Sequence, residues 1–549
     1  MIPSVDARSI LHANSPLVGV PGQNRRKAVN PRTGPVHPAL ALPLDARLAA
    51  HPGLPAAAEA PPVPSPEIPR AMLEPSRPKK TLTVFALVMI TTGIITSVHG
   101  APSMAEYGFS LIFIYGLVAV VFLLPSALIS AELATGWPED GGVYVWVKTA
   151  FGERLGFVAV WQQWIENVIW FPSILTVMVV VATYGFAPGL NKDPWFIFLS
   201  INGLFWALTI GNLFGMRTSS WVAIICTVFG RILPIIFLFG LALLFVNRGN
   251  PAQITFSWDT LVPDFGETDK LTFIVGAFLT FAGIEASASN AASARNPRRD
   301  YPVAIISSAA IALMLVTLIS LAIAIVVPQE QLNLDAGIMQ AITILLDSNG
   351  IGGLVPVAGL IIALGMLGEV NNWIPAPTRG LLVAGRDGAL APIWQRENRF
   401  AAQQPILLMQ GCIVTLISSI FLFIGDVQVA FWLTNVVPTL LYIVMYLLMF
   451  AAAVRLRYTH PAVPRRYRVP FGNLGIWLLA ALGSVAGLIA IAFGFLPPDL
   501  VKPDQRTSYV LVVLVGFAFF TVLPFLIHAL RRPSWAPGGT ELPEDAGSG

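Results

Sequence analysis

The sequence predicts an all-α protein that crosses a membrane many times. Of its 549 residues, 55% are apolar and 11% carry a charge, whereas soluble domains carry about 25% charged residues. The apolar residues are concentrated in long runs, and a run of about 20 residues is what a helix needs to cross a bilayer. Because an open sheet edge leaves backbone groups unsatisfied in lipid, helices are predicted for these runs.

Twelve such runs follow one another, and we predict a transmembrane helix for each, numbered spans 1 to 12. The predicted spans cover residues 81–101, 109–134, 154–186, 194–213, 218–246, 271–294, 302–327, 351–384, 405–424, 428–454, 472–496 and 508–530. Together they form one predicted domain over residues 81–530.

The two ends of the chain differ from this domain in composition. Residues 1–80 contain 16 prolines and no Phe, Trp or Tyr, so they bury too little apolar surface to offset the entropy of ordering. We predict a disordered Pro/Ala-rich tail there. The alternative is a segment that is not translated, since Met72 stands directly before span 1. Residues 531–549 are predicted to form a second, short disordered tail.

Basic residues predict the orientation of the spans. With the N-terminus in the cytoplasm, 27 of the 33 Lys and Arg residues fall on the cytoplasmic side and five on the outer side. Positive residues accumulate on the cytoplasmic side of membrane proteins. We therefore predict a multi-pass protein of the plasma membrane with both termini in the cytoplasm.

The same composition excludes several classes of partner. The two cysteines, Cys226 and Cys412, lie inside apolar spans, which excludes a disulfide framework and a thiolate metal cluster. A net charge of +3 gives no indication of a nucleic-acid partner. No span carries a metal-ligand cluster or an activated nucleophile, so neither a metal, nor a cofactor, nor an enzymatic activity is predicted. The sequence does not indicate an oligomeric state.

Spans 1 and 6 carry small and polar residues at mid-membrane. Span 1 contains Thr92 and Gly93 and ends in the sequence His-Gly-Ala-Pro at 99–102, while span 6 has Gly283 beside Glu285. Small residues at such depths serve either close packing of helices or a break in the helix.

The placement of these two spans favours the break. Each is the first of five consecutive spans, in two sets that cover residues 81–246 and 271–454 and have opposite orientation. That is the pattern of an inverted-repeat transporter whose two discontinuous helices form a site at the midplane. Freed amides can hold a carboxylate there, and freed carbonyls an amine or a cation. Thr92, Gly93 and Gly283 are accordingly predicted to bind substrate.

Several long motifs then carry a resemblance to a known family. They are WPEDGGVYVWV (137–147), GIEASAS (283–289), NPRRDYP (296–302), VVPQEQLNLDAGIMQ (326–340), GEVNNWIPAPTRG (368–380) and Tyr-x-x-x-Tyr in span 10. With these motifs in this order, the chain resembles the amino acid–polyamine–organocation (APC) superfamily, and within it the bacterial glutamate/GABA antiporters. The resemblance covers residues 81–530. It implies the leucine-transporter fold, with ten core helices in two inverted repeats followed by helices 11 and 12 (472–530).

The resemblance also implies a function. We expect a secondary active amino acid transporter, an antiporter of the glutamate/GABA-exchange type that works by alternating access on a small amino acid or amine. One alternative is proton-coupled uptake of a neutral amino acid or polyamine. An alternative of another class is a membrane sensor or scaffold that transports nothing.

The resemblance assigns roles to ionisable and aromatic residues inside the spans. Glu285 matches the glutamate of the family's Gly-x-Glu-Ala-Ser motif. It either exchanges protons or faces a substrate amine, or it only forms hydrogen bonds with the broken backbone. Glu369 and Trp373, four apart on one helical face, match a Glu-x-x-x-Trp pair that lines the substrate path; the alternative is a glutamate satisfied by neighbouring helices. Tyr442 and Tyr446 match two tyrosines of the transport path, although interfacial belts also use tyrosine.

Three further residues complete the candidates. Glu166 shares a helical face with Trp170, although the glutamate/GABA antiporters carry a neutral polar residue there, so a structural and a functional role stay open. Ala101 replaces a tyrosine that contacts substrate in the family, and nearby His99 is of a type that titrates near neutral pH. Glu285, Glu369, His99 and Glu166 are the candidates for proton coupling. Arg231 is expected to pair with one of the carboxylates, and Glu132 to anchor a cytoplasmic loop.

Overall fold

The computed structural model describes residues 82–536, except residues 140, 216–219, 264–265, 267, 288–294, 297–298 and 425. All of them belong to the unit Ser76–Gly549. Regular structure within these residues is helical, and no β-strand element occurs among them. The predicted all-α class is therefore confirmed. The predicted tail over residues 1–80 lies outside the described residues.

We number the main helices of the described residues in chain order. They are α1 (Val84–Ile95), α2 (Ala101–Ala105), α3 (Gly108–Gly136), α4 (Val143–Phe151), α5 (Glu153–Thr183), α6 (Pro194–Leu213), α7 (220–247), α8 (Ile274–Phe281), α9 (Asp300–Val326), α10 (Gly337–Ser348), α11 (Gly352–Ala389), α12 (Gln404–Ile424), α13 (Val427–Thr459), α14 (Gly472–Gly494) and α15 (Arg506–Ala529).

Within the described residues, ten helices are long and apolar enough to cross a membrane. They correspond to ten of the twelve predicted spans, with ends that differ by a few residues. Spans 1 and 6 are not among them, because the helices described within these two spans are too short to cross alone. Span 1 is divided between α1 and α2, and span 6 ends its regular helix at Phe281.

Two helices lie in connections where we predicted none. Both α4 and α10 are short, with nine and 12 residues. The first contacts α5 and α13, and the second contacts α7, α9 and α11. Hydropathy does not detect them, since a short amphipathic helix lacks a long apolar run.

Two long helices, α5 and α13, pack along each other at the centre of the bundle. In the most apolar 18-residue window of α5, 94% of the residues are buried, against 11% for α15. Polar side chains of α5 therefore lie in the protein interior, whereas α15 exposes most of its surface on the outside of the bundle. This central position of α5 determines what surrounds the two interrupted helices.

A buried ion pair closes one end of this bundle. Glu132 of α3 accepts hydrogen bonds from Nε and Nη2 of Arg457, both at 2.5 Å, and from the backbone N–H of Val469 at 2.8 Å. The Nε atom of Arg465 lies 3.2 Å from the same carboxylate. Val469 and Arg465 belong to the connection between α13 and α14, so the expectation that Glu132 anchors a connecting loop agrees with these contacts.

Replacing Glu132 is expected to destabilise the protein strongly. Glu132→Gln leaves Arg457 buried without its counter-charge, a change that costs about 3–5 kcal/mol. The matched control is Glu153→Gln, because Glu153 pairs with Arg531 where both side chains are more than 40% exposed, and exposed pairs contribute at most about 1 kcal/mol. Thermal unfolding in detergent measures both variants. Equal shifts in melting temperature would contradict the assignment.

Part of the C-terminal segment is described as well. Pro533–Trp535 form a 3₁₀ turn, and Nε2 of Gln395 donates a hydrogen bond to the carbonyl of Trp535 at 3.1 Å. These residues of the predicted disordered tail therefore contact the end of α11 and the loop that follows it. The remainder of that tail, residues 537–549, lies outside the described residues.

Candidate functional site

Span 1 is interrupted between α1 and α2. The backbone N–H of Thr96 makes the last helical bond of α1, to the carbonyl of Thr92 at 2.9 Å. Residues 96–100 are not helical, and α2 begins at Ala101 with Pro102 in its first turn. Proline suits that place because it has no N–H to leave unsatisfied. The predicted break is present, a few residues after Gly93.

Span 6 is interrupted at Gly283. Its φ angle is +97°, in a region that residues with a side chain rarely occupy. A Cβ atom there would lie 2.8 Å from the ring of Trp373, so both the backbone and the space require glycine. The N–H of Gly283 donates to Oη of Tyr446 at 2.7 Å, and a 3₁₀ turn follows at 284–287. Residues 288–294 lie outside the described residues.

The two breaks meet at a small cavity of about 30 Å³. Its polar and aromatic lining comes from five helices or breaks and consists of Ser97, His99, Glu166, Asn167, Trp170, Thr280, Glu369, Trp373 and Tyr442. A cavity of this volume holds water molecules but is too small for an amino acid. The entry of an organic ligand would therefore require side chains or the broken helices to move.

A larger cavity of about 360 Å³ lies next to it. Gln163, Glu285 and Trp373 line one part, and Arg379 and Glu397 line another. This volume falls within the range of about 300–1,000 Å³ of small-molecule sites. Trp373 lines both cavities, so its ring forms part of the wall between them.

Arg231 connects the break of span 1 to α11. It lies in a π turn of α7, Val228–Ile232, and its Nη2 donates to Oε2 of Glu369 at 2.7 Å. Its Nη1 donates to the carbonyls of Gly93 and Thr96 at 2.5 and 2.6 Å. The guanidinium thus satisfies carbonyls that the end of α1 frees. The sequence did not identify which carboxylate pairs with Arg231, and in the structure it is Glu369.

Glu285 organises the break of span 6. Its Oε1 accepts from Nε2 of Gln163 at 2.8 Å and from Oη of Tyr442 at 2.6 Å, and its Oε2 accepts from Oη of Tyr446. Because Tyr446 also accepts from the N–H of Gly283, the two tyrosines, the carboxylate and the break form one network. The structure therefore brings together four of the predicted site residues.

His99 occupies the break of span 1 and contacts α5 and α13. Its Nδ1 lies 2.6 Å from Oγ of Ser97, and its Nε2 lies 3.1 Å from the indole nitrogen of Trp170 and 3.0 Å from Oδ1 of Asn435. Nε2 can accept from the indole or donate to the amide, but one nitrogen cannot do both. The hydrogen bond that forms depends on the tautomer of His99.

Five predicted substrate-binding residues line neither cavity: Thr92, Gly93, Ala101, Gly283 and Tyr446. Gly283 and Tyr446 belong to the network around Glu285. Thr92 and Gly93 lie within the last turns of α1, and Ala101 is 2% exposed at the start of α2. A Cβ atom on Gly93 would lie 2.4 Å from Oγ1 of Thr227, so this glycine permits close packing of α1 on α7. Gly93 contributes only its carbonyl, through Arg231.

Two residues that contact the predicted site, Gln163 and Asn435, had not been predicted. Gln163 precedes Glu166 by three positions and Trp170 follows it by four, the spacing of neighbours on a helix. Asn435 of α13 carries no comparable sequence signal, because its contacts depend on a helix distant in the chain.

A third cavity, of about 250 Å³, lies beside the connection between α2 and α3 and is lined in part by Glu106, Tyr107, Asp259 and Lys270. Burial raises the pKa of Glu106 to about 7, and Lys270 opposes this shift. Since the folded state then retains a proton that the unfolded state releases, this group's contribution to stability is lost as the pH rises from about 4.5 to about 7.

Glu106→Gln is expected to flatten the dependence of melting temperature on pH between about 4.5 and about 7. Superimposable curves for the two proteins would contradict this.

Comparison with known proteins adds a family and relatives. A family model described as amino acid permease matches residues 82–519. An uncharacterized transporter of Legionella pneumophila is 37% identical over 448 residues, 82% of this chain and 96% of that protein. A glutamate/gamma-aminobutyrate antiporter of Lactococcus lactis is 32% identical over 459 residues, 82% and 91%. A protein of the same species named probable agmatine/putrescine antiporter is 23% identical over 453 residues, 82% and 95%.

Proposed function

Because the chain belongs to the amino acid permease family, we propose that it is a secondary active amino acid transporter, an antiporter of the glutamate/GABA-exchange type. The observation that carries the proposal is the meeting of two helix breaks at one buried cavity, with carboxylate and aromatic side chains around it. Breaks of this kind provide backbone groups for a substrate at mid-membrane. The relatives named glutamate/gamma-aminobutyrate antiporter support the type of exchange.

Transport proceeds by alternating access in this proposal. The larger cavity is the path to the cytoplasm, because the end of α11 that lines it carries Arg379 and Arg386 and basic residues mark the cytoplasmic side. Trp373 separates this path from the small cavity. Opening requires its indole to move, and closing on the other side requires the broken helices to tilt. The proposal also places both termini in the cytoplasm and the protein in the plasma membrane, as the distribution of basic residues predicts.

Each side chain of the site has a defined task in this proposal. The indole of Trp373 and the ring of Tyr442 cover the aliphatic part of the substrate, while freed backbone groups at the breaks bind its carboxylate. Arg231 and Glu369 hold the end of α1 against α11. Glu285 holds Gly283 through the two tyrosines. Where substrate exchange is coupled to protons, the buried titratable residues bind and release them; these are Glu166, Glu285, Glu369 and His99.

The second candidate function is proton-coupled uptake of a neutral amino acid or a polyamine. It is favoured by the number of carboxylates near the cavity. The protein named probable agmatine/putrescine antiporter supports an amine as the substrate, in either function. The two functions differ in what drives accumulation of a tracer. An antiporter accumulates the tracer only in vesicles loaded with a counter-substrate, whereas a proton-coupled carrier also accumulates it in empty vesicles when a pH gradient is imposed.

The test is counterflow in proteoliposomes. Vesicles loaded with each of the twenty amino acids or their decarboxylated amines are diluted into labelled substrate at equal pH inside and outside. We expect accumulation of label for a small group of amino acids and amines, and none in empty vesicles. Accumulation in empty vesicles when a pH gradient is imposed would favour the second candidate, and no transport under either condition would contradict both.

Trp373→Ala is expected to weaken the apparent affinity about tenfold, with a smaller effect on the maximal rate, because an indole over an ammonium or alkyl group contributes on the order of 1–2 kcal/mol. The matched control is Trp477→Ala on α14, where the side chain is 53% exposed. Initial rates of exchange against substrate concentration give both constants. An unchanged half-saturation concentration in the Trp373 variant would show that the indole does not contact substrate.

A further inference from the structure

Within the part of the chain that the structure describes, the buried charges around the small cavity do not balance. Glu166, Glu285 and Glu369 are each 2% exposed. Among the described residues, one basic side chain lies within ion-pair distance of any of these carboxylates. It is Arg231, which contacts Glu369. A buried carboxylate without a counter-charge is strongly unfavourable. Two of the three therefore need a proton or a bound cation.

The three carboxylates differ in how far the protein satisfies them. Glu369 is paired with Arg231. Glu285 accepts hydrogen bonds from three side chains on both of its oxygens. Glu166 accepts on Oε1 from its neighbour Asn167. Among the donors that the described residues supply, Glu166 therefore has a single one, and it is neutral, whereas a carboxylate offers about four acceptor positions.

The position of Glu166 fits it for contact with a ligand. It lies at the middle of α5 and lines the small cavity together with Trp170, Trp373 and Tyr442. Carboxylate and aromatic faces together form a binding site for an alkylammonium group, through a charged hydrogen bond and cation–π attraction. Glu285, in contrast, lines the larger cavity.

We propose that Glu166 binds the protonated amino group of the transported molecule and thereby sets its charge class. The substrate carries an ammonium and no surplus carboxylate: an ω-amino acid, a neutral amino acid or a diamine. A dicarboxylic amino acid would bring an additional negative charge beside Glu166 and Glu285, so it is disfavoured. This inference rests on the proposed exchange function and narrows its substrates, because it keeps GABA and excludes glutamate as a preferred substrate.

Selectivity of exchange tests the proposal. Half-saturation concentrations for GABA, putrescine, L-leucine and L-glutamate are measured by counterflow for the wild type, Glu166→Gln and Glu166→Asp. The wild type should prefer the first three substrates to glutamate. In the Gln variant the half-saturation concentration for GABA and putrescine should rise about tenfold or more, since a charge-assisted hydrogen bond is lost, while that for glutamate should not rise.

The Asp variant separates this role from a structural one. It keeps the charge on a shorter side chain, so its half-saturation concentration for amines should lie between those of the wild type and the Gln variant. If the Gln variant does not fold, the Asp variant decides, because lengthening the distance to the ammonium should raise the half-saturation concentration for amines and not for glutamate.

The outcomes distinguish this inference from the proposed function. A wild type that exchanges none of these compounds nor any other amino acid or amine overturns both. A wild type that exchanges them, with ratios between amines and glutamate that the variants leave unchanged, overturns the role of Glu166 alone. A wild type that prefers glutamate to GABA also overturns it.

Discussion

Replacement of Arg231 by methionine is expected to abolish exchange and to lower the free energy of unfolding by about 3–5 kcal/mol. The guanidinium is the partner of Glu369 at 2.7 Å and holds the carbonyls of Gly93 and Thr96. Methionine fills a similar volume but leaves Glu369 buried with an unpaired charge. The end of α1 at the break is then no longer attached to α11.

A double variant separates the two effects of this change. Arg231→Met combined with Glu369→Gln removes both charges, so most of the lost stability should return, because an uncompensated charge costs more than the pair contributes. Exchange should remain absent, since nothing replaces the attachment at the break. Glu369→Gln alone should also greatly reduce exchange. Thermal unfolding in detergent and counterflow in proteoliposomes measure each variant, and wild-type exchange in any folded variant would contradict this role.

Gly283→Ala is expected to have the second large effect, a loss of exchange of about tenfold or more. A residue with a side chain at φ +97° is strained by about 1–2 kcal/mol, and a Cβ atom 2.8 Å from the ring of Trp373 adds an overpacking cost of about 1–3 kcal/mol. Trp373 forms part of the wall between the two cavities. Its displacement should therefore disturb transport as well as stability.

Helix α8, which ends just before this glycine, offers a matched control. Gly276 lies in α8 with no atom within 4 Å of the place its Cβ would take. Gly276→Ala should preserve exchange and stabilise the helix slightly, by up to about 1 kcal/mol. Initial exchange rates and melting temperatures of the two variants are compared side by side. Equal behaviour would show that Gly283 has no special conformational or packing role.

The sequence predicted the helices well wherever the lipid dictates the pattern. A crossing helix needs a long apolar run, so the positions of α3 or α9 follow from hydropathy alone. The breaks were predictable for a related reason, since Gly283 and the sequence at 99–102 are poor helix formers at a depth where a helix is otherwise required. Short helices such as α4 carry no such requirement and were not predicted.

The contacts of the site depended on information that no local pattern contains. The pairing of Arg231 with Glu369 is set by how α7 and α11 are rotated against each other, and the two residues are 138 positions apart. Gly93 shows the same limit, because a glycine needed for packing on Thr227 and a glycine needed for a break look identical in sequence. The position of Trp373 between two cavities likewise follows only from the assembled bundle.

The most direct test of the central claim is protection of a thiol placed in the small cavity. Ala282 lines that cavity between the two breaks, and Ala282→Cys is made in a protein whose two cysteines, Cys226 and Cys412, are changed to serine. Reaction with a small charged thiol reagent is followed in proteoliposomes with and without an amino acid or amine that the protein exchanges.

The account predicts that the exchanged compound protects this thiol. At ten times its half-saturation concentration it should slow modification about tenfold by mass action, while an amino acid that is not exchanged should have no effect at the same concentration. If the protein exchanged a substrate that left the rate of modification unchanged at saturation, the cavity between the two breaks would not be its binding site.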